Sequence, residues 1–140
     1  MISSGGKGRK KRVSLVNDKY EDAVRALQSL ETVLEEQPTA IVRDAAIQRF
    51  EYTVEAVWKY AKTYLHEIEG IECYSPKSCI RELHSAGKTN EHETVQFLDI
   101  IDDRNQTVHT YHEEVAEKIY TRLPEHTSLL RTVLNRLLPD

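Results

Sequence analysis

The chain has 140 residues, a net charge of −4, 39% apolar and 30% charged residues, and two Cys. One domain with a real core fits that length, and the balance belongs to a globular protein rather than a disordered one. No apolar run approaches the roughly 18 residues of a membrane span and the N-terminus lacks an apolar signal core, so a cytoplasmic protein with no membrane contact is expected.

Lys7, Arg9, Lys10, Lys11 and Arg12 fall in the first dozen residues with no acid among them. A short basic arm on an acidic body is not the footprint of a general DNA binder. Residues 1–15 read as a disordered, solvated tail, with contact to RNA or to an acidic partner surface as the alternative. Residues 16–140 read as a single helical domain.

From about Asn17 the pattern is helical. Tyr20, Val24, Leu27, Leu30 and Leu34 recur at three and four, Asn17 or Asp18 can cap the start, and Pro38 ends the run. A second stripe of Val42, Ala46, Phe50, Val54, Val57, Ala61, Tyr64 and Ile68 covers about seven turns, roughly 40 Å, and Gly70 closes it. The aromatic side chains crowding it, Phe50, Tyr52, Trp58, Tyr60 and Tyr64, suit a thick-walled core and a subunit contact better than a base-stacking cleft. Ser75 is an N-cap with Pro76 at the first helical position, Ile80 and Leu83 face inward, and Gly87 supplies a left-handed exit. Cys73 and Cys79 flank this start; reduced thiols are expected, and two Cys without a second pair give no zinc framework.

Asn90 with Glu93 opens a further helix whose core stripe is Val95, Leu98 and Ile101. It leads into the polar run Asp102-Asp103-Arg104-Asn105-Gln106-Thr107-Val108-His109-Thr110-Tyr111-His112-Glu113. An Arg followed five later by a His arises by chance roughly half a time in a chain of this composition. Requiring Asn after the Arg and Tyr two after the His lowers that to roughly one in a thousand. The signal is therefore the octet from Arg104 to Tyr111. On an unbroken helix Arg104 and Tyr111 share a face while His109 lies about 140° away. Thr110 with Glu113 makes a second capping box, which argues for a break and a fresh start at Thr110; a break near 105–109 would let the three converge, and alternatively His109 meets Arg104 of a second subunit. The last helix carries Val115, Ile119 and Leu123, is kinked or split at Pro124, and finishes with Leu129, Leu130, Val133, Leu134 and Leu137. With no strand signal and short connections, the fold class is all-α. The expected architecture is an antiparallel up-down four-helix bundle with one extra short helix.

Three runs resemble the nucleotidyltransferase substrate-binding subunit family, a branch of the HEPN superfamily. They are Ile47-Gln48-Arg49-Phe50-Glu51-Tyr52 leading to Trp58-Lys59, Ser75-Pro76 through Ile80-Arg81-Glu82, and Asp102-Asp103-Arg104-Asn105 to His109-Thr110-Tyr111. The basic arm is not part of that pattern. The resemblance implies a partner subunit of a minimal nucleotidyltransferase, the two forming a toxin–antitoxin pair. It also implies a homodimer. The alternative it implies is a metal-independent endoribonuclease toxin acting through Arg104 and His109 and silenced by adenylylation of Tyr111.

The residue chemistry is compatible with that alternative. His109 has an intrinsic pKa suited to drawing a 2′-OH proton, and Arg104 offers a permanent forked donor to a phosphorane. Asn105 is placed to bind a phosphate oxygen or fix the His tautomer, so Arg104 and Asn105 are the nucleotide- or phosphate-binding candidates, for RNA or a free nucleotide. Asp102 and Asp103 repel phosphate unless they orient Arg104. The competing structural reading pairs Arg104 with Asp103 or Glu113 at a helix junction and leaves Tyr111 packing at the bundle edge. His109 and His112 lie three apart with Glu113 adjacent, but no further ligand follows at usable spacing and the zinc-protease arrangement His-Glu-x-x-His is absent, so no metal and no cofactor are expected.

Overall fold

The computed structural model describes the backbone of residues 3–109 and 112–139, with the side chains of residues 14–108 and 112–139. Five α-helices account for nearly all of it: α1 (Ser3–Leu34), α2 (Ala40–Tyr64), α3 (Pro76–Ser85), α4 (Glu91–His109) and α5 (Glu113–Arg136). Among the described residues there is no strand, and no helix is long and apolar enough to cross a membrane.

Side-chain bonds between helices fix their directions. Thr53 Oγ1 donates to the Ala26 carbonyl and Arg49 Nη1 to that of Ser29, while Tyr20 packs edge-on against Tyr60, so α1 and α2 run antiparallel. Arg104 meets Glu55, whereas Glu93 meets Arg136 and Asp103 meets Arg122, which sets α4 between α2 and α5 and antiparallel to α5. Arg43 meets Glu117, Phe50 stacks on His126, and the Tyr60 hydroxyl donates to the Leu137 carbonyl. Thus α2 and α5 run parallel across the bundle. The four long helices form the up-down bundle expected from the sequence, and α3 bridges α2 and α4 at its side.

The core is built from Leu27, Leu30, Phe50, Val57, Tyr60, Leu65, Ile80, Leu83, Phe97, Ile100, Ile119, Leu123, Leu130 and Leu134, all buried. Packing helices on this scale, rather than propensity, stabilises them. Ser75, Asn90 with Glu93, Gly70 and Gly87 carry the signals expected from the sequence, and Thr39 adds a cap not expected there. Thr39 Oγ1 accepts from the Val42 N–H, Ser75 and Ser78 cap each other reciprocally, and Asn90 and Glu93 do the same. Gly70 and Gly87 take the left-handed backbone (φ 69° and 77°) that a side chain would strain.

Several details differ from the sequence reading. The helical backbone of α1 starts at Ser3 rather than near Asn17, because extending a helix already anchored by packing needs only one bond per added residue. Beyond Tyr64, α2 passes into a π-helical turn, Leu65–Glu69, whose extra residue rotates the stripe: Leu65 is buried and Ile68 is exposed. On α4 the inward face is Phe97, Ile100 and Ile101, and Val95 is exposed. The α5 helix runs through Pro124 without dividing. Cys73 and Cys79 are not free thiols but a disulfide, six residues apart, with both residues buried. The capped start of α3 and the turn after Gly70 bring the two side chains together, which spacing alone does not reveal.

Candidate functional site

The polar run lies where α4 ends against the start of α5. His109 closes α4, and His112, with extended backbone (φ −120°, ψ 138°), precedes the first turn of α5. The helix runs unbroken from Arg104 through His109, so no break falls at 105–109 and the two positions stay about 140° apart around α4. The chain leaves the helix only after His109, with His112 rather than Thr110 in the capping position and without a side-chain cap bond. The His109 side chain and residues 110 and 111, Tyr111 included, lie outside the described residues.

Arg104 points across to α2. Its Nη2 donates to Glu55 Oε2 at 2.9 Å, while Nη1 reaches Asn105 Oδ1 at 3.4 Å. Its Nε is buried without a hydrogen-bond partner. The side chain remains 27% exposed, enough for a ligand to reach it. Glu55 also receives Trp58 Nε1 (3.2 Å) and Lys59 Nζ (3.2 Å). Burial opposes the Glu55 charge, but bonds from Trp58 and Lys59 and the nearby Arg104 cation outweigh it, so its pKa falls below the ordinary carboxylate value. Neither structural partner expected from the sequence holds Arg104, because Asp103 and Glu113 are engaged elsewhere.

Asp103 turns inward instead of orienting Arg104. Arg122 Nη1 donates to its Oδ1 at 2.8 Å and His126 Nε2 to its Oδ2 at 2.7 Å. The His126 ring is buried and stacks on Phe50 with centroids 5.7 Å apart. A carboxylate acceptor fixes the proton on Nε2, and Nδ1 is left buried without a partner. Burial works against the Asp103 charge, yet the two donors prevail and hold its pKa below the usual value. Asp102 lies outside and pairs with Lys77 of α3 at 2.6 Å. Both carboxylates that would repel phosphate are thereby neutralised.

The other side of the break is braced by Arg43, whose buried guanidinium donates to Glu117 at 2.8 Å and Glu113 at 3.3 Å. So α2 grips the α4 end through Glu55 and the α5 start through Arg43. Sequence reasoning missed Glu55, Arg43, Arg122 and His126, whose partners lie far away along the chain. Only the Trp58-Lys59 pair beside Glu55 stands out in the sequence. Among the described residues no three His, Cys, Asp or Glu side chains gather as metal ligands.

A bundle of this order carrying a polar Arg-containing segment at the α4–α5 break defines the class. The chain belongs to the family described as nucleotidyltransferase substrate binding protein like, whose model matches residues 18–138. Among solved structures it is similar to a protein of Thermus thermophilus, with 46% identity and a TM-score of 0.78, over 82% of this chain and 98% of that one. Two further structures share the fold. One is a mutant toxin–antitoxin MntA–HpeT complex (TM-score 0.72, 14% identity, covering 89% of this chain and 97% of the matched one). The other is the tri-AMPylated Shewanella oneidensis HEPN toxin in complex with MNT antitoxin (TM-score 0.68, 13% identity, 87% and 95%). No curated protein matches the chain.

Proposed function

We propose that this chain is the substrate-binding or neutralised partner subunit of a minimal nucleotidyltransferase, paired with it as in a toxin–antitoxin module. The observation that carries this reading is the family match over residues 18–138, and the shared fold with proteins from two toxin–antitoxin complexes supports it. The proposal keeps the chain in the cytoplasm, where a disulfide sealed in the core is shielded from small reductants. Co-expression with a minimal nucleotidyltransferase, which this reading expects to be encoded beside it, tests the pairing: the two are expected to elute together at micromolar concentration. Separate elution at that concentration would sink it.

The second reading is an endoribonuclease of the same subunit, favoured by a partly exposed Arg104 near the end of α4, with His109, about 140° away around the same helix, supplied by a second copy of the chain. In this scheme His109 takes the 2′-OH proton, the 2′ oxygen attacks the adjacent phosphorus, and Arg104 with Asn105 receives the charge on the phosphorane oxygens. The leaving 5′ oxygen departs with a proton. In this scheme adenylylation of Tyr111 silences the nuclease, as the family resemblance implies. RNA incubated with the wild-type chain, Arg104→Ala and His109→Ala is expected to be cut only by the first. Cleavage surviving both substitutions would remove this site from consideration.

A further inference from the structure

Glu55 lies outside the octet, yet three donors converge on its carboxylate: Arg104 Nη2 and Trp58 Nε1 on one oxygen, Lys59 Nζ on the other. Two cations meet one anion, so the cluster keeps one uncompensated positive charge. Arg104 is poorly served in this position. Of a guanidinium's five N–H groups, one makes a good bond to Glu55, Nη1 makes a marginal one to its own neighbour at 3.4 Å, and the buried Nε makes none. A phosphate oxyanion, with acceptors arranged for two parallel N–H bonds, suits that fork better than a single carboxylate oxygen. The neighbouring carboxylates offer no alternative partner, since Lys77 holds Asp102 and Arg122 with His126 hold Asp103.

We propose that Glu55 is an internal latch that occupies Arg104 in the unliganded chain and yields it, with Lys59, to the phosphate oxyanion of a nucleotide or an RNA strand. The inference rests on reading Arg104 as the anion-binding residue. Glu55 is a positioning residue here, because it acts through Arg104. Displacement leaves a carboxylate bonded to Trp58, the only Trp of the chain, so the indole reports the exchange.

The full-length protein is titrated with a ten-nucleotide RNA, with AMP and with inorganic phosphate while Trp58 emission is followed. A saturable change is expected for wild type. Glu55→Gln, which keeps the shape and one acceptor oxygen but loses the charge and the second acceptor, is expected to bind about threefold to fivefold more tightly, the range for losing one partly exposed ion pair. That gain should vanish when Arg104→Ala is combined with it. Lys59→Met, at an exposed position, should weaken binding and serves as the second variant. An equal gain for all three probes assigns the site to a lone phosphate; a gain confined to AMP or to RNA assigns it to that ligand. Binding no tighter in Glu55→Gln than in wild type, or absent from both, overturns the latch while leaving the transferase pairing intact. A failed co-elution with the transferase would sink the pairing and leave this titration standing.

Discussion

Asp103 shows how one residue can serve the fold while sitting inside a candidate site. It follows Asp102 and precedes Arg104, but helix geometry turns it about 100° from each, into the α5 interface. Removing it strands a buried His126 and an Arg122 without their acceptor. Asp103→Ala is expected to cost about 2 kcal/mol in urea unfolding, the range for leaving a buried donor such as His126 Nε2 without its acceptor; Glu114→Ala on the exposed face of α5 is the comparison. Because the folded-state pKa of Asp103 is depressed, its contribution is complete above its ordinary value of 3.8 and is lost as pH falls through the lower folded value. Glu93 behaves the same way over a wider range. A hydrogen bond from Arg136, helped by the Asn90 N–H, brings its pKa to about 2 from an ordinary 4.5. Unfolding followed from pH 5 to 2 should therefore show a steeper loss in wild type than in Glu93→Gln. Parallel curves for the two would exclude Glu93 as a source of acid lability.

At the scale of elements, α2 is the brace of the candidate site. It is capped by Thr39, and Thr39→Ala is expected to destabilise the chain by about 1 kcal/mol in the same denaturant assay. Its Arg43 clamps the first turns of α5. Arg43→Ala should leave the bundle folded but speed amide exchange selectively over Glu113–Glu117, and unchanged exchange there would show that the clamp does nothing. The disulfide works on the other end of α2. Closing so short a loop restricts the unfolded chain by about 2 kcal/mol on the chain-entropy account, so Cys73→Ser with Cys79→Ser should lower stability by that order. Helix existence, caps and glycine exits in all these segments are legible in the sequence, because each rests on neighbours three or four residues apart. The register change after Tyr64 is not, since a π-helical turn leaves no periodic signature in apolar residues that are already dense. The outward face of Val95 is hidden for a related reason. On α4 an equally apolar alternative stripe, Phe97, Ile100 and Ile101, competes for the core, and only the position of α5 decides between them.

Across the whole molecule the aromatic excess on α2 is consumed inside one protomer. Phe50, Tyr60 and Tyr64 are buried, and the exposed Tyr52 bonds to Ser29 of α1. Those rings therefore give no separate reason for a second copy, and the homodimer proposed for this family member rests on the resemblance. Sedimentation is expected to show a dimer at micromolar concentration, and a monomer there would strand any cleft shared by two subunits. By itself the sequence determined the helical class, the number of long helices and the octet worth attention, because apolar periodicity, caps and motif spacing are local properties of the chain. Tertiary structure alone decided which charge answers which. Arg104 finds Glu55, Asp103 finds His126 and Arg122, and Arg43 finds α5, since ion pairing depends on distances that only the packing of distant helices creates.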